Sequence, residues 1–279
     1  MANKNEPDKT EFPYLHGFSK KEQDRLRQQA AFSEYKIYEG LNLSDIGKLI
    51  EIGCGVGAQT EILLRRFPNM HINCIDANEN QIAACKDNLK SHSYAQGRYT
   101  VEKGDAQKLD FQSNSFDGAF LCWVLEHIPE PAKVLSEARR VLRPGGRIYV
   151  TEVLNSSFFL DPYSPNVWEY WMKFNDYQYE NAGDPFVGAK LGNLLLSMGF
   201  TNVKTQVKTW HFDNRHPDKR KETIEFWTEL LMSGKDQLIK EGVISQELAD
   251  NCYKELRSVA NDPNAVFFYS FIQAEATVI

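Results

Sequence analysis

The chain has 279 residues, 42% of them hydrophobic and 25% charged, with a formal net charge of −6. That length suits one domain with additions around a sizeable core. The acidic balance offers no basic field for nucleic acid or an anionic membrane, no apolar run reaches spanning length, and residues 1–9 lack a signal peptide's apolar stretch. A cytoplasmic protein without nucleic-acid or membrane partners is therefore expected. Cysteines 54, 74, 85, 122 and 252 form no Cys-x-x-Cys pair and read as reduced, buried packing residues.

A polar, Pro-containing lead of about a dozen residues reads as loose, and Tyr14-Leu15-His16-Gly17-Phe18 follows it. Ser19-Lys20-Lys21-Glu22 has the form of a capping box, and its helix should run to about Tyr38 and stop at Gly40. From Lys48 strands alternate with helices: strands at 48–53, 71–76, 99–104, 116–122 and 146–153, helices at 57–67, 78–90 and 130–142. That rhythm predicts a parallel sheet with right-handed crossovers. Segment 158–186 is crowded with aromatics, and Phe186–Met198 is amphipathic, closed by Gly199. Val203–Thr209 and Val266–Ala274 read as strands. Between them Lys219–Gly234 and Ser245–Ala260 are helical by composition, giving a helical insertion at about 210–262 on the sheet edge.

Residues 49–57, Leu-Ile-Glu-Ile-Gly-Cys-Gly-Val-Gly, carry the most function. An apolar strand runs into glycines at 53, 55 and 57, which allow a tight turn and close approach of backbone to a ligand. The helix after them would aim free N–H groups at the same ligand, as a nucleotide-type cofactor requires. Gly53-x-Gly55-x-x-Ala58 with Asp76 formally satisfies the dinucleotide fingerprint, which keeps an NAD-dependent oxidoreductase open. The neighbouring residues point elsewhere: Glu51 before the glycines, Asp76 ending the second strand, Gly104-Asp105-Ala106 ending the third. Then come Ser115–Phe120, Leu125-Glu126-His127-Ile128-Pro129 and Val141–Arg147. In this order and spacing the run resembles the class I S-adenosylmethionine-dependent methyltransferases, in their small-molecule branch.

The resemblance implies an α/β fold: a Rossmann-like, doubly wound, mostly parallel seven-stranded sheet with an antiparallel edge strand, plus a helical lid and a helical insertion. It divides the chain into an N-terminal segment and helix covering the cofactor (1–46), a cofactor-binding core (47–154), an aromatic-rich substrate lid (155–186) and a C-terminal sheet edge (187–279). The implied cofactor is S-adenosyl-L-methionine, leaving as S-adenosyl-L-homocysteine, with no metal. Asp76 would hold the ribose diol, Asp105 and the Ala106 backbone the adenine, and the Gly53 region with Cys122 the methionyl ammonium. Glu51 would support that ammonium or simply bond the loop. Gly55, Gly57, Ala77, Gln81 and Trp123 complete the cofactor contacts. Tyr14 would reach the methionyl carboxylate, or else anchor the N-terminal helix. Asp76, at a loop end, is expected to govern cofactor affinity without governing the fold.

The acceptor is expected in the lid, at Tyr163, Trp168, Trp171 and Tyr177, although any one of its aromatics also reads as core. Asp161, Glu169, Asp176, Glu180 and Asp184 accompany them, favouring an apolar or cationic small molecule. Methyl transfer to oxygen or nitrogen is expected, with carbon methylation of a hydrophobic or terpenoid-like acceptor and a non-catalytic cofactor-binding subunit as alternatives. His127, His16 and Glu152 are the candidate bases, although His127 reads more readily as a structural hydrogen-bonder. His211, Asp213 and His216 match no standard metal spacing. A homodimer is possible but nothing points to one.

Overall fold

The computed structural model describes residues 17–279. Its first element, α1 (Lys20–Ile37), starts at Ser19, whose side chain accepts from Glu22 N at 3.2 Å. Only half of the capping box forms. The Glu22 carboxylate turns instead to Arg25 in a buried pair at 2.6 and 2.8 Å.

Five parallel strands follow: β1 (Lys48–Ile52), β2 (His71–Asp76), β3 (Tyr99–Lys103), β4 (Phe116–Cys122) and β5 (Leu142–Val153), in spatial order β3-β2-β1-β4-β5. Their crossover helices are α2 (Ala58–Arg66), α3 (Glu79–Lys90) and α4 (Pro131–Val141). Successive strand residues enter opposite layers. Leu49, Phe120 and Tyr149 join one core with α2 and α3, while Ile50, Leu121 and Val150 join another with α4. Hence these strands read as continuous apolar runs, with helices on both faces.

The second half comprises β6 (Phe159–Asp161), α5 (Pro165–Glu180), α6 (Leu191–Ser197), β7 (Thr201–Phe212), α7 (Pro217–Ser233), α8 (Lys235–Lys240), α9 (Gln246–Asn261) and β8 (Val266–Thr277). The antiparallel strand is β8. It lies between β5 and β7, so the outermost strand is β7. The seven expected strands are joined by an eighth, β6. Where β8 overhangs the end of β5, β6 pairs with it from Phe159↔Phe268 to Asp161↔Val266. Three residues are too few to show an alternating pattern, so β6 reads from sequence as part of the lid.

The lid segment is built into the main core. Phe158 stacks on Trp227 with ring centres 5.3 Å apart, and Trp227 meets Tyr269 at 4.6 Å. Phe158 also touches Trp171, which stacks on Phe174. The insertion helices thus pack through Trp227 against both the lid helix and β8.

Candidate functional site

A cavity of about 1240 Å³ begins at the C-terminal ends of β1 to β4 and continues under α1 to a wall contributed by α5, β7, α7 and β8. That exceeds the roughly 300–1,000 Å³ of a single-ligand pocket, leaving room for a nucleotide-sized cofactor and a second molecule.

The first end is shaped by the glycine turn. Gly53 N and Cys54 N both donate to Ile75 O, at 2.8 and 3.0 Å, and Gly57 N donates to Cys54 O at 2.9 Å. Gly53 has φ +74°, and a Cβ there would lie 2.5 Å from the Val124 side chain. Gly57 has φ +71°, and its Cβ would lie 2.6 Å from Cys85 Sγ. Gly55 faces open cavity, where an approaching ligand could meet bare backbone. Gly53 and Gly55 line the cavity, while Gly57 supports the turn from beneath.

Asp76 also lines the cavity. Its Oδ2 accepts from Gly55 N at 2.8 Å and its Oδ1 from Asn78 N at 2.9 Å, and burial raises its pKa. The carboxylate therefore ties the glycine loop to β2, so the expectation that Asp76 leaves the fold untouched is corrected. Asp105 is exposed and accepts from Gln107 N at 2.8 Å; it lines the same end with Ala77, Gln81 and Ala106. Glu51 lies at the floor, buried, accepting from Thr60 Oγ1 at 2.5 Å. Burial pushes its pKa up to about 8. Cys122 and Trp123 close the far side, and Trp123 holds a left-handed backbone, φ +56°, unusual for a non-glycine residue.

Glu152 does not reach the cavity. It is fully buried, and its Oε1 accepts from Val124 N at 2.9 Å and Leu125 N at 2.7 Å. Burial, aided by nearby Glu126, pushes its pKa up to about 8. Its geometry is that of a brace for the loop after β4, and the expectation of a base there is corrected. His127 does line the cavity, with Nε2 3.7 Å from Glu126 Oε1. Tyr14 and His16 lie outside the described residues.

In the lid, Trp171 and Tyr177 line the cavity. Tyr163 does not; it is 74% exposed, because it precedes α5 on the outer surface. Trp168 turns toward Phe158 and is not part of the wall. The face of α5 that reaches the cavity is Trp171, Phe174, Tyr177 and Gln178, at helical spacing. Asp161, Glu169, Asp176 and Glu180 are exposed, and Asp184 pairs with Lys190 at 2.6 Å. None of the five lines the cavity, so they carry no argument for a cationic acceptor.

Sequence reading missed much of the inner wall: Glu126, Asn155, Gln178, Trp210, Phe226, Trp227 and Tyr269, with Arg25 and Gln29 from α1. Gln178 was legible as the next turn of the Trp171–Phe174 stripe. Phe226 and Trp227 carried no local signal, since only tertiary packing brings α7 over the sheet. Asp213 forms a two-pronged pair with Arg215, which holds its carboxyl well below the usual range, and His211 packs on Phe268. No grouping of three metal-ligating side chains occurs among the described residues, and no described helix is long and apolar enough to cross a membrane.

Residues 50–150 match the model of a methyltransferase domain family. The chain is 30% identical over 138 residues to a demethylmenaquinone methyltransferase of Staphylococcus aureus, covering 47% of this chain and 56% of that protein. It is 25% identical over 195 residues to phosphoethanolamine N-methyltransferase 2 of Caenorhabditis elegans, covering 68% of this chain and 42% of that protein. Residues 50–150 are thus similar to a methyltransferase domain. The chain spans about half the length of the curated relatives it matches. The methyltransferase fold is shared with phosphoethanolamine N-methyltransferase 2 of Haemonchus contortus, with a TM-score of 0.56 at 18% identity over 90% of this chain and 52% of that one. In this fold the glycine turn, Asp76 and Asp105 stand at the strand ends where open α/β sheets bind ligands.

Proposed function

We propose that this chain binds S-adenosylmethionine and transfers its methyl group to an oxygen or nitrogen atom of a small, apolar, ring-bearing acceptor by in-line displacement. The observation that carries this reading is one continuous cavity with two chemically different ends. One offers the glycine turn with two ribose- and adenine-type carboxylates, and the other a wall of aromatic rings.

The residues present fit the cofactor. Gly55 opens bare backbone to the cavity, the Asp76 oxygens keep lone pairs free beyond their loop bonds, and Glu51 supplies a buried carboxyl beside the turn. When bound, S-adenosylmethionine supplies a methyl group on a positively charged sulfur, so the protein has no leaving group to activate. The chain's work is positioning and exclusion of water. Trp171, Phe174, Trp227 and Tyr269 present flat apolar faces to an acceptor, while α1 closes the cavity over it. Glu126 and His127 stand where the two ends meet, the Glu126 carboxylate oriented by Gln178 Nε2 at 3.1 Å. They are the groups able to accept an acceptor's proton.

The wall bears on acceptor class. Its basic group is Arg25, already paired with Glu22 and bonded to Gln29, which leaves little provision for a phosphomonoester such as the C. elegans relative's name implies. Stacked rings suit a ring-bearing substrate of the kind the S. aureus relative's name implies. The same wall suits carbon methylation, which product analysis separates. The free thiols fit a reducing cytoplasm.

Calorimetric titration with S-adenosylhomocysteine and with NAD tests the cofactor. Binding of the first alone is expected, and binding of NAD alone returns the chain to the oxidoreductases. Labelled methyl transfer into fractionated apolar metabolites then tests catalysis; cofactor binding with no labelled product from any fraction would mark a non-catalytic binding subunit.

A further inference from the structure

Glu126 is a buried carboxylate in a wall of rings. It is 8% exposed and lines the cavity. The turn after α5 closes on its backbone: Asp184 N donates to Glu126 O at 2.8 Å, and a Cβ at Gly183 would lie 2.7 Å from that oxygen. Its carboxylate takes a hydrogen bond from Gln178 Nε2 to Oε2 at 3.1 Å. Oε1 has the approach of His127 Nε2 at 3.7 Å, and among the described residues no lysine or arginine pairs with it. The other cationic side chains of the cavity are engaged elsewhere, Arg25 with Glu22 and Lys103 with Glu79. A buried charge short of a cation and of hydrogen bonds is costly, so a cationic ligand would relieve it.

Gln178 shares the need. Its Nε2 donates to both Glu126 O and Glu126 Oε2, at 3.2 and 3.1 Å, which fixes the amide and turns its oxygen away from the carboxylate. That oxygen, Oε1, is buried and has no partner among the described residues, on a side chain that lines the same cavity. A carboxylate and an amide oxygen, adjacent and short of donors, call for one group with several N–H bonds and a positive charge. Phe174, Trp171, Trp227, Tyr269 and Trp210 line the cavity as a chain of rings, successive centres 4.6 to 6.0 Å apart. Such ring faces attract cations.

We propose that the methyl acceptor is a primary or secondary amine on a ring-bearing skeleton, bound as its ammonium ion by Glu126, Gln178 Oε1 and the aromatic wall. The inference rests on the proposed methyltransferase reading and selects nitrogen over oxygen within it. An ammonium of either kind offers at least two donors and a charge, where a hydroxyl offers one donor and none. For transfer, the ammonium gives one proton to the Glu126 carboxylate. The freed nitrogen lone pair then bonds to the methyl carbon as the carbon–sulfur bond breaks, and the electrons of that bond stay on sulfur. The product is a methylated ammonium ion, and Glu126 returns its proton to water.

The test uses the full chain with saturating S-adenosylhomocysteine. Benzylamine and phenethylamine are titrated beside alcohols of the same shape, benzyl alcohol and phenethyl alcohol. Each amine should bind about tenfold or more tightly than its alcohol, the size of one desolvated cation–π contact or one charged hydrogen bond. Glu126→Gln should remove most of that preference while the Kd for S-adenosylhomocysteine stays within about twofold. Gln178→Leu should weaken the amines and not the alcohols, and it serves alone if Glu126→Gln does not fold. Labelled S-adenosylmethionine should place its methyl on the amine nitrogen. Amines binding no better than alcohols, neither series binding, or a preference that survives both substitutions each overturns the proposal. Weaker binding of S-adenosylmethionine itself by Glu126→Gln would assign the carboxylate to the cofactor and overturn it too. Labelled methyl found only on oxygen would overturn this inference and leave the proposed function standing. Failure of the unmutated protein to bind S-adenosylhomocysteine would instead overturn the cofactor reading.

Discussion

Replacing Asp76 by Ala should damage two properties by amounts that can be separated. Its carboxylate holds Gly55 N and Asn78 N at 2.8 and 2.9 Å, so truncation leaves two partly buried donors without partner. A fully buried orphan costs about 1–3 kcal/mol, and water entering through the cavity lowers that, so about 1–2 kcal/mol is expected for the pair. For a chain of this size that is a fall of about 3–6 °C in Tm. Binding should suffer more. Two charge-assisted bonds to a ribose diol, at about 1.5–3 kcal/mol each, give a loss of about 3–6 kcal/mol, or two to four decades in Kd. Melting curves of the unliganded variant and calorimetric titration with S-adenosylhomocysteine measure the two. Asp76→Asn keeps an acceptor oxygen for the loop, so it should recover most of the Tm but only part of the affinity. Wild-type affinity in both variants would refute the ribose assignment whatever happened to the Tm.

Glu152 and Glu51 are both raised from ordinary carboxyl values to about 8, chiefly by burial. Folded protein therefore keeps protons that unfolded protein has released between about pH 4.5 and 8, and stability falls as pH rises through that window. Glu152→Gln, which still offers an oxygen to Val124 N and Leu125 N, should flatten that fall in a Tm-against-pH series; an unchanged slope removes the assignment. A cofactor ammonium beside Glu51 would favour its charged form, so S-adenosylhomocysteine binding near pH 7 should release a proton. Calorimetry in buffers of different ionisation enthalpy reads this release, which Glu51→Gln should abolish. Trp227→Ala opens a hole in the core and should cost about 3–5 kcal/mol, seen as a lower denaturation midpoint. Tyr177→Ala, on the half-buried rim of the cavity, should spare Tm and raise the acceptor's KM, and Tyr163→Ala should change neither; an altered KM at Tyr163 would put the acceptor outside the cavity.

The glycine-turn end of the cavity was legible because its determinants are local. A strand, a glycine turn and the acid ending the next strand lie within residues 49–76, and their conformations follow from short-range sterics and hydrogen bonding. The aromatic end was not. Trp210, Trp227 and Tyr269 are scattered along the chain, and only the pairing of β7 with β8 and the descent of α7 unite them. Composition also misled at the lid. Its acids share a segment with its aromatics, yet on a helix neighbours in sequence face different ways, and those acids face solvent. Glu152 reads from sequence as a candidate base, whereas its carboxylate turns back to the loop after β4. A carboxyl at a strand end reads alike whether it points into the cavity or back at the loop.

The placement of β8 also orders the events of synthesis. It is inserted between β5 and β7 although it follows both in sequence, and Ser157 must wait for Ser270, 113 residues on, to complete one hydrogen bond. While a ribosome is still making α7 to α9, the parallel half can already close around local contacts, but the outer rim of β5 has no neighbour and β7 has nothing to lie against. Such open strand rims recruit other chains. The nascent protein thus passes through an interval in which its parallel half is shaped while its sheet remains adhesive. Stalled synthesis within the insertion would yield aggregates rather than a smaller folded protein.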